Sequence, residues 1–334
     1  MNICLVTPAG KGSRTGNRRT ASRWAGMLRA AGHRVEVAGA WDPDEPTQLL
    51  LALHARRSYR SIAAFAECHP QRPLVVALTG TDLYRDLRSS AEARRSLALA
   101  HRLIVLQPKA VRALPAGLRV KTRVVVQSCA TTLRHHPVRR GFRICVIGHL
   151  RDEKDPLLAA AALARVPADS GIEVVQLGAA LDEALARRAR EAMARDPRYR
   201  WVGSVPHARA LAWLASSHAM LISSRMEGGA NVVSEALRIG VPVLASRIPG
   251  NEGLLGETYP GYFPVGSEVA LARLMLRAAR DARFYATLKR RVGMLRPMVS
   301  PRNEARQLVR AVLGQAVSEP AAASTRRTGA NERR

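Results

Sequence analysis

Aromatic residues make up only 4% of this 334-residue chain. That scarcity argues against the stacked aromatic platforms that hold single-stranded nucleic acid. Acidic residues are also few, 26 against 53 Lys and Arg, for a net charge of +27. Lysine is scarcer still: five of the 53 basic residues, the rest being arginines scattered through helical segments. Such a field favours small anions and holds nucleic acid only non-specifically, and no motif for specific nucleic-acid recognition is present. No apolar run approaches a membrane span, and Ile3 to Val6 is too short for a signal-peptide core, so a cytoplasmic protein is expected. Four cysteines, Cys4, Cys68, Cys129 and Cys145, match no metal-ligand spacing. Cys4 and Cys145 lie in strand-like runs. Cys129 precedes a linker and reads as a core residue or a reactive thiol. The adjacent His135 and His136 point apart in an extended segment, which suits a linker better than a metal pair.

What is present is a pattern that occurs twice. The length suits two domains. Asn2 to Thr7 reads as a buried strand, Pro8 to Asn17 as a basic glycine-rich loop with Asn17 as a helix N-cap, and Arg18 to Ala31 as a helix. Strands follow at 34–38, 49–54, 74–78, 103–107 and 123–127, with helices between them, as in an open Rossmann-type sheet. Ala130 to Gly141 is a hinge. Arg143 to Ile147 restarts the pattern, and its loop, Gly148 to Pro156, carries Arg151 and Lys154 as a two-cation clamp. Gly178 ends the strand after it. Ile248 to Gly253 reads as a turn, and Pro301 to Gln315 as a last helix. The domains implied are 1–135 and 136–300, with a helix at 301–315 and a disordered tail at 316–334.

The first loop fits no nucleotide fingerprint. Gly10, Gly12 and Gly16 are spaced one residue too long for a dinucleotide loop, and no Gly-Lys-Ser/Thr follows at Walker spacing. It remains a flexible loop whose Lys11, Ser13, Arg14, Thr15 and Asn17 suit a small anion. Thr79-Gly80-Thr81-Asp82 follows an apolar strand and so faces a ligand crevice. Asp82 reads either as a base or hydroxyl partner or as a helix N-cap.

The organising stretch runs from Ser223 to Leu237. An apolar strand, Ala219 to Ile222, leads into a loop holding Glu227, Gly228, Gly229, Ala230 and Asn231, and then into a helix with Val232 and Glu235. A glycine loop before a helix N-terminus offers free N–H groups and the positive dipole end to an anion. Carboxylates repel phosphate, so Glu227 and Glu235 suit the hydroxyls of a sugar or ribose beside it. The combination is that of a nucleotide-sugar site.

Glu227 and Glu235, with seven residues and a small-residue turn between them, resemble the signature of many retaining GT-B glycosyltransferases. The resemblance covers roughly residues 1 to 315. It implies an α/β fold of two Rossmann-like domains with parallel sheets facing across a cleft. It also implies a UDP-sugar donor in the second domain. Gly148, Gly178 and Val205 would line that nucleotide-sugar site, with main chain near Val205 reading the base. Arg151 and Lys154 would stabilise the departing diphosphate, with Glu227 as the third catalytic residue. The second half of the chain holds no Asp-x-Asp pair, so neither a metal nor any other cofactor is expected.

The opening, Thr7 to Arg18, together with Thr79 to Asp82 and Glu227 to Asn231, resembles more narrowly the selenosugar synthases of selenoneine biosynthesis. That resemblance implies transfer of a sugar, N-acetylglucosamine, from the UDP-sugar to selenophosphate. Selenophosphate would be held by Gly10, Lys11, Gly12, Ser13, Arg14, Thr15, Gly16 and Asn17, with Thr79, Thr81 and Asp82. A conventional sugar or small-alcohol acceptor is the alternative, and a non-catalytic basic binder of nucleotide or nucleic acid is a second. Oligomeric state is not legible.

Overall fold

Leu-, Val- and Ile-rich runs bounded by Pro and Gly set the architecture of the computed structural model, which describes residues 1–10, 12 and 16–314. The first six strands are β1 (Asn2–Val6), β2 (Arg34–Ala38), β3 (Leu49–Leu53), β4 (Leu74–Leu78), β5 (Arg102–Val105) and β6 (Thr122–Val124). They form one parallel sheet in the order β2-β1-β3-β4-β5-β6. Every residue of β3 and β4 is buried. That is why these strands are unbroken apolar runs: helices cover both faces of a parallel sheet. The next six are β7 (Phe142–Ile147), β8 (Ile172–Leu177), β9 (Tyr199–Gly203), β10 (Ala219–Ile222), β11 (Val243–Ser246) and β12 (Tyr262–Phe263). They form the second parallel sheet, in the order β12-β11-β10-β7-β8-β9.

Strand order reverses between β1 and β3 in the first sheet and between β7 and β10 in the second. Ligands of open α/β sheets bind past the carboxyl ends of the strands at such switch points. The first loop follows β1. The loop of Lys154 follows β7, and that of Glu227 follows β10.

The last described helix, Pro301–Leu313, packs Leu308, Ala311 and Val312 beside Leu5, Trp24 and Leu49 of the first domain's core. The chain therefore leaves the second domain and is fastened on the first. The expected tail, 316–334, lies outside the described residues.

Three readings are corrected, and those of Cys129 and of the His135–His136 pair are decided. Ile248 to Gly253 is not a turn: helix Pro249–Leu255 starts there, with Pro249 in its first turn, where a missing N–H costs nothing. The helix after the first loop starts at Gly16, so Asn17 lies inside its first turn and is not the N-cap. A widened helical turn, Asp82–Asp86, continues into Leu87–Ser89, so Asp82 lies inside the turn and Thr81, not Asp82, is its N-cap. Cys129 is a core residue: burial pushes its thiol up to about 12, so it is no ready nucleophile. His135 and His136 bond different carbonyls, of Ser217 and Arg134, so they do not converge as a pair.

Candidate functional site

In the second domain, the loops after β7 and β10 converge. Lys154 ends a short helical turn, Asp152–Lys154, which Asp155 closes in the left-handed region at φ 45°. The Lys154 ammonium donates to Glu227 Oε1, which also accepts from Ser224 Oγ at 2.6 Å. Ser223 Oγ ties the two loops by donating to the Lys154 carbonyl at 2.9 Å. Arg151 stands exposed and extended at the entrance of that turn. Beside them, His149 Nδ1 accepts from Ala179 N. Burial, then the charge of Arg151, holds its imidazole below the ordinary pKa.

Helix Asn231–Ile239 opens on this hollow. Its N-cap, Ala230, has no side chain to cap the first turn, so N–H groups there stay available to an anion. The Val232 side chain packs on the core, leaving only its main chain to the site. One turn further in, Glu235 is buried, and its Oε1 accepts from His207 Nε2 at 2.8 Å and Arg19 at 3.4 Å. Gly148 and Gly178 lie against each other at the ends of β7 and β8. Gly178 has φ +147°, and a side chain there would strike the Gly148 main chain, with the carbonyl carbon 2.5 Å away. Val205 sits half-buried between β9 and helix His207–Ala215.

In the first domain, Gly10 and Gly12 follow β1, and Gly16 and Asn17 open the next helix. Lys11, Ser13, Arg14 and Thr15 lie outside the described residues. Thr79, Gly80 and Thr81 follow β4, as expected, but Asp82 does not face the crevice. It is fully buried, and its carboxylate accepts from the main-chain N–H groups of Ala55, Thr79, Gly80 and Leu83. Those four bonds fix the turn and leave Asp82 no role as an acceptor-side base. Thr81 Oγ1 instead meets His54 Nε2 at 3.1 Å. His54 Nδ1 accepts from Arg57 N, so Nε2 carries the proton and donates. His54 sits at the end of β3 with φ 74°.

The two halves touch through glycines. A Cβ on Gly228 would lie 2.5 Å from the Thr79 carbonyl carbon and 2.6 Å from Gly80 N. One on Gly229 would lie 2.5 Å from Leu106 Cβ, and one on Gly253 as close to Gln107 Cδ. Lys109 to Glu252 (2.5 Å) and Arg85 to Glu153 (3.2 Å) bridge the same seam. Only about 20 Å³ remains open beside Gly148, Lys154 and Ser224. A larger cavity, about 400 Å³, lies at the amino ends of β1 and β2, lined by Cys4, Glu36 and Thr47. Size does not decide between them: the smaller one is lined by Lys154, whose ammonium pairs with Glu227 at the β7/β10 switch point.

Sequence reasoning missed His54 and His207, and it did not pair Arg19 with Glu235. Arg19 and Glu235 are 216 positions apart, so no local spacing could have paired them. Among the described residues no cluster of three His, Cys, Asp or Glu could hold a metal ion. An Asp-x-Asp triplet does occur in the first half, Asp42-Pro43-Asp44, but it forms an exposed turn, with Asp44 N donating to Asp42 Oδ1.

Residues 141–281 match the family model described as "Glycosyl transferases group 1". Similar solved structures extend the likeness to both domains. Anabaena HepE in complex with UDP aligns at a TM-score of 0.77 and 17% identity, over 94% of this chain and 100% of that one. The fold is GT-B. Sucrose-phosphate synthase from Thermosynechococcus elongatus aligns at 0.73 and 16% identity, over 92% and 97% of the two chains. The apo lipopolysaccharide outer core galactosyltransferase WaaB aligns at 0.69 and 12% identity, over 94% and 99%. In this GT-B arrangement the seam of glycines is the cleft between the domains. No described helix is long and apolar enough to cross a membrane.

Proposed function

We propose that the protein is a glycosyltransferase that moves a sugar, N-acetylglucosamine, from a UDP-sugar to selenophosphate. The observation that carries the donor half is the meeting of Lys154, Glu227 and the uncapped helix N-terminus at the β7/β10 switch point. The UDP and UDP-glucose complexes of HepE, a protein of the same fold, support it. Glu235 Oε2 takes the ribose hydroxyls, since both described partners of this carboxylate engage Oε1. The N–H groups from Gly228 to Val232 take the diphosphate. Arg151 and Lys154 meet the charge that grows on it as the anomeric C–O bond breaks, and Glu227 orients the sugar and Lys154. Fixed cations already in place lower that barrier without reorganisation.

The acceptor half rests on the resemblance of the first loop and on its basic composition. A polyanion suits that loop better than a neutral sugar does. Selenium attacks the anomeric carbon, a C–Se bond forms, and UDP leaves. Water then cleaves the Se–P bond to give the selenosugar and phosphate.

The test is mass spectrometry of the purified protein with UDP-N-acetylglucosamine, with and without selenophosphate. A selenium isotope pattern at the selenosugar mass, with UDP released in step, is expected. UDP release in both tubes with no selenium product would overturn the acceptor and keep the donor. Release in neither would overturn catalysis.

A further inference from the structure

Glu304, on the helix that returns to the first domain, is fully buried. It is also crowded with donors. Arg23 Nε reaches both oxygens at 3.1 and 2.9 Å. Trp24 Nε1 donates at 2.8 Å, and Ser128 donates its main-chain N–H at 2.8 Å and its hydroxyl at 2.5 Å. A buried carboxylate with this many partners is held rigidly, and it holds them. With Nε committed, the free edge of the Arg23 guanidinium points across the cleft. There Nη2 donates to Asn231 Oδ1 at 3.2 Å.

That contact decides which way the Asn231 amide faces. A guanidinium only donates, so the oxygen must turn to Arg23 and the NH2 group away from it. The NH2 group then faces the first domain: a Cβ on Gly16 would be 3.7 Å from Asn231 Nδ2. Asn231 thus offers two donors in two directions. Its main-chain N–H belongs to the helix N-terminus, and its side chain looks toward the end of the first loop.

We infer that the Asn231 side chain binds an oxygen of the anionic acceptor, and that Arg23 and Glu304 are positioning residues that fix the amide for this task. The inference rests on the proposed function for the location of the acceptor, but its ligand class, a phosphate-type anion, can be tested separately. It also gives the returning helix a part in the site, since the only path from Glu304 to the cleft among these contacts runs through Arg23.

The experiment is calorimetric titration of the full-length protein with UDP, and then of the UDP-saturated protein with inorganic phosphate. Asn231→Leu removes the NH2 group without adding a charge beside the anion. It should weaken phosphate binding to the UDP-saturated protein at least tenfold. Arg23→Lys keeps a cation for Glu304 but loses the fork that reaches Asn231. It should reproduce the phosphate defect with a melting temperature near wild type. Glu304→Gln tests the same path, but it risks the fold, so Arg23→Lys carries the decision. A merely structural role would lower the melting temperature of Arg23→Lys and leave phosphate affinity alone. The inference is overturned by that result. It is equally overturned if Arg23→Lys loses UDP and phosphate alike, which would place the amide on the donor, or if Asn231→Leu leaves phosphate affinity unchanged. Absence of phosphate binding in the wild type overturns it as well. Phosphate binding that depends on Asn231, together with no turnover of selenophosphate, would keep the anion site and sink the selenium reading instead.

Discussion

In the proposed function Lys154 is the residue on which the donor chemistry turns, and Glu227 holds it. The ammonium and carboxylate pair at the cleft, side chains 22% and 10% exposed, so the charge is fixed and partly dehydrated. Replacing Lys154 by Ala removes a cation that, in the proposed function, acts chiefly on charge developing at the leaving diphosphate. The expected loss is about 10²- to 10³-fold in kcat, the scale of one preorganised donor, with UDP affinity much less affected. Steady-state kinetics beside UDP titration would show it. Equal losses in kcat and UDP affinity would mean that Lys154 binds the ground state and transition state alike. The Glu227–Glu235 spacing and the Arg151–Lys154 loop were legible because each lies within one short segment. His207 and Arg19 were not legible. They reach Glu235 from 28 and 216 positions away, and a lone His at a helix start carries no local sign of its partner. Asp82 was legible only as two alternatives, since a short carboxylate after a strand suits a turn as well as a substrate. Burial decided for the turn.

At the scale of elements, β4 and β10 were read to the residue because each is an apolar run of four or five residues between turn formers. Helix Pro249–Leu255 was missed because Pro249, Gly250 and Gly253 look like turn chemistry. Their glycines serve contact instead: a Cβ on Gly250 would lie 2.8 Å from the Glu227 carbonyl carbon. The hinge segment yields a pH prediction. His135 Nε2 donates to the Ser217 carbonyl at 2.9 Å and anchors the linker on the second domain. Burial first, then the charges of Lys289, His218 and His136, lowers its pKa to about 4 from 6.5. The folded state therefore disfavours the proton that the unfolded chain accepts. His135 contributes stability above pH 6.5 that is lost as pH falls from there through 4. Melting temperature followed from pH 7.5 to pH 4 should fall, and His135→Gln, which keeps a donor for Ser217, should fall less steeply. Parallel curves for the two proteins would remove His135 from the acid response.

For the whole molecule, the decisive feature is how closely the two sheets' loops approach. Gly80 at φ +143° and Gly228 bring two backbones together with no side chain between them. Three bodies of sequence far apart meet here: the Thr79–Thr81 turn, the Glu227–Gly229 loop and helix Pro249–Leu255. Opening and closing this seam would admit substrates and exclude water during transfer, as lids and domain closures do in other enzymes. Gly228→Ala tests that coupling. A methyl there overlaps the Thr79 main chain, so the loops must separate by roughly an ångström, because close-packed backbone cannot absorb the overlap. The Gly228 N–H is one of the groups proposed to hold the diphosphate, so UDP affinity should fall too, but by less than kcat. The fall in kcat should be at least tenfold, because a 1 Å misplacement across the cleft costs about 10²-fold when geometry is limiting. Small-angle scattering should show a larger radius of gyration. Gly26→Ala is the control, since a Cβ there meets nothing within 4 Å and an exposed helical glycine gains stability from it. If Gly228→Ala turned over as fast as Gly26→Ala, the contact seen between the domains would not be the arrangement in which transfer occurs. The Lys154–Glu227 pair would then have to meet the acceptor in a more open cleft.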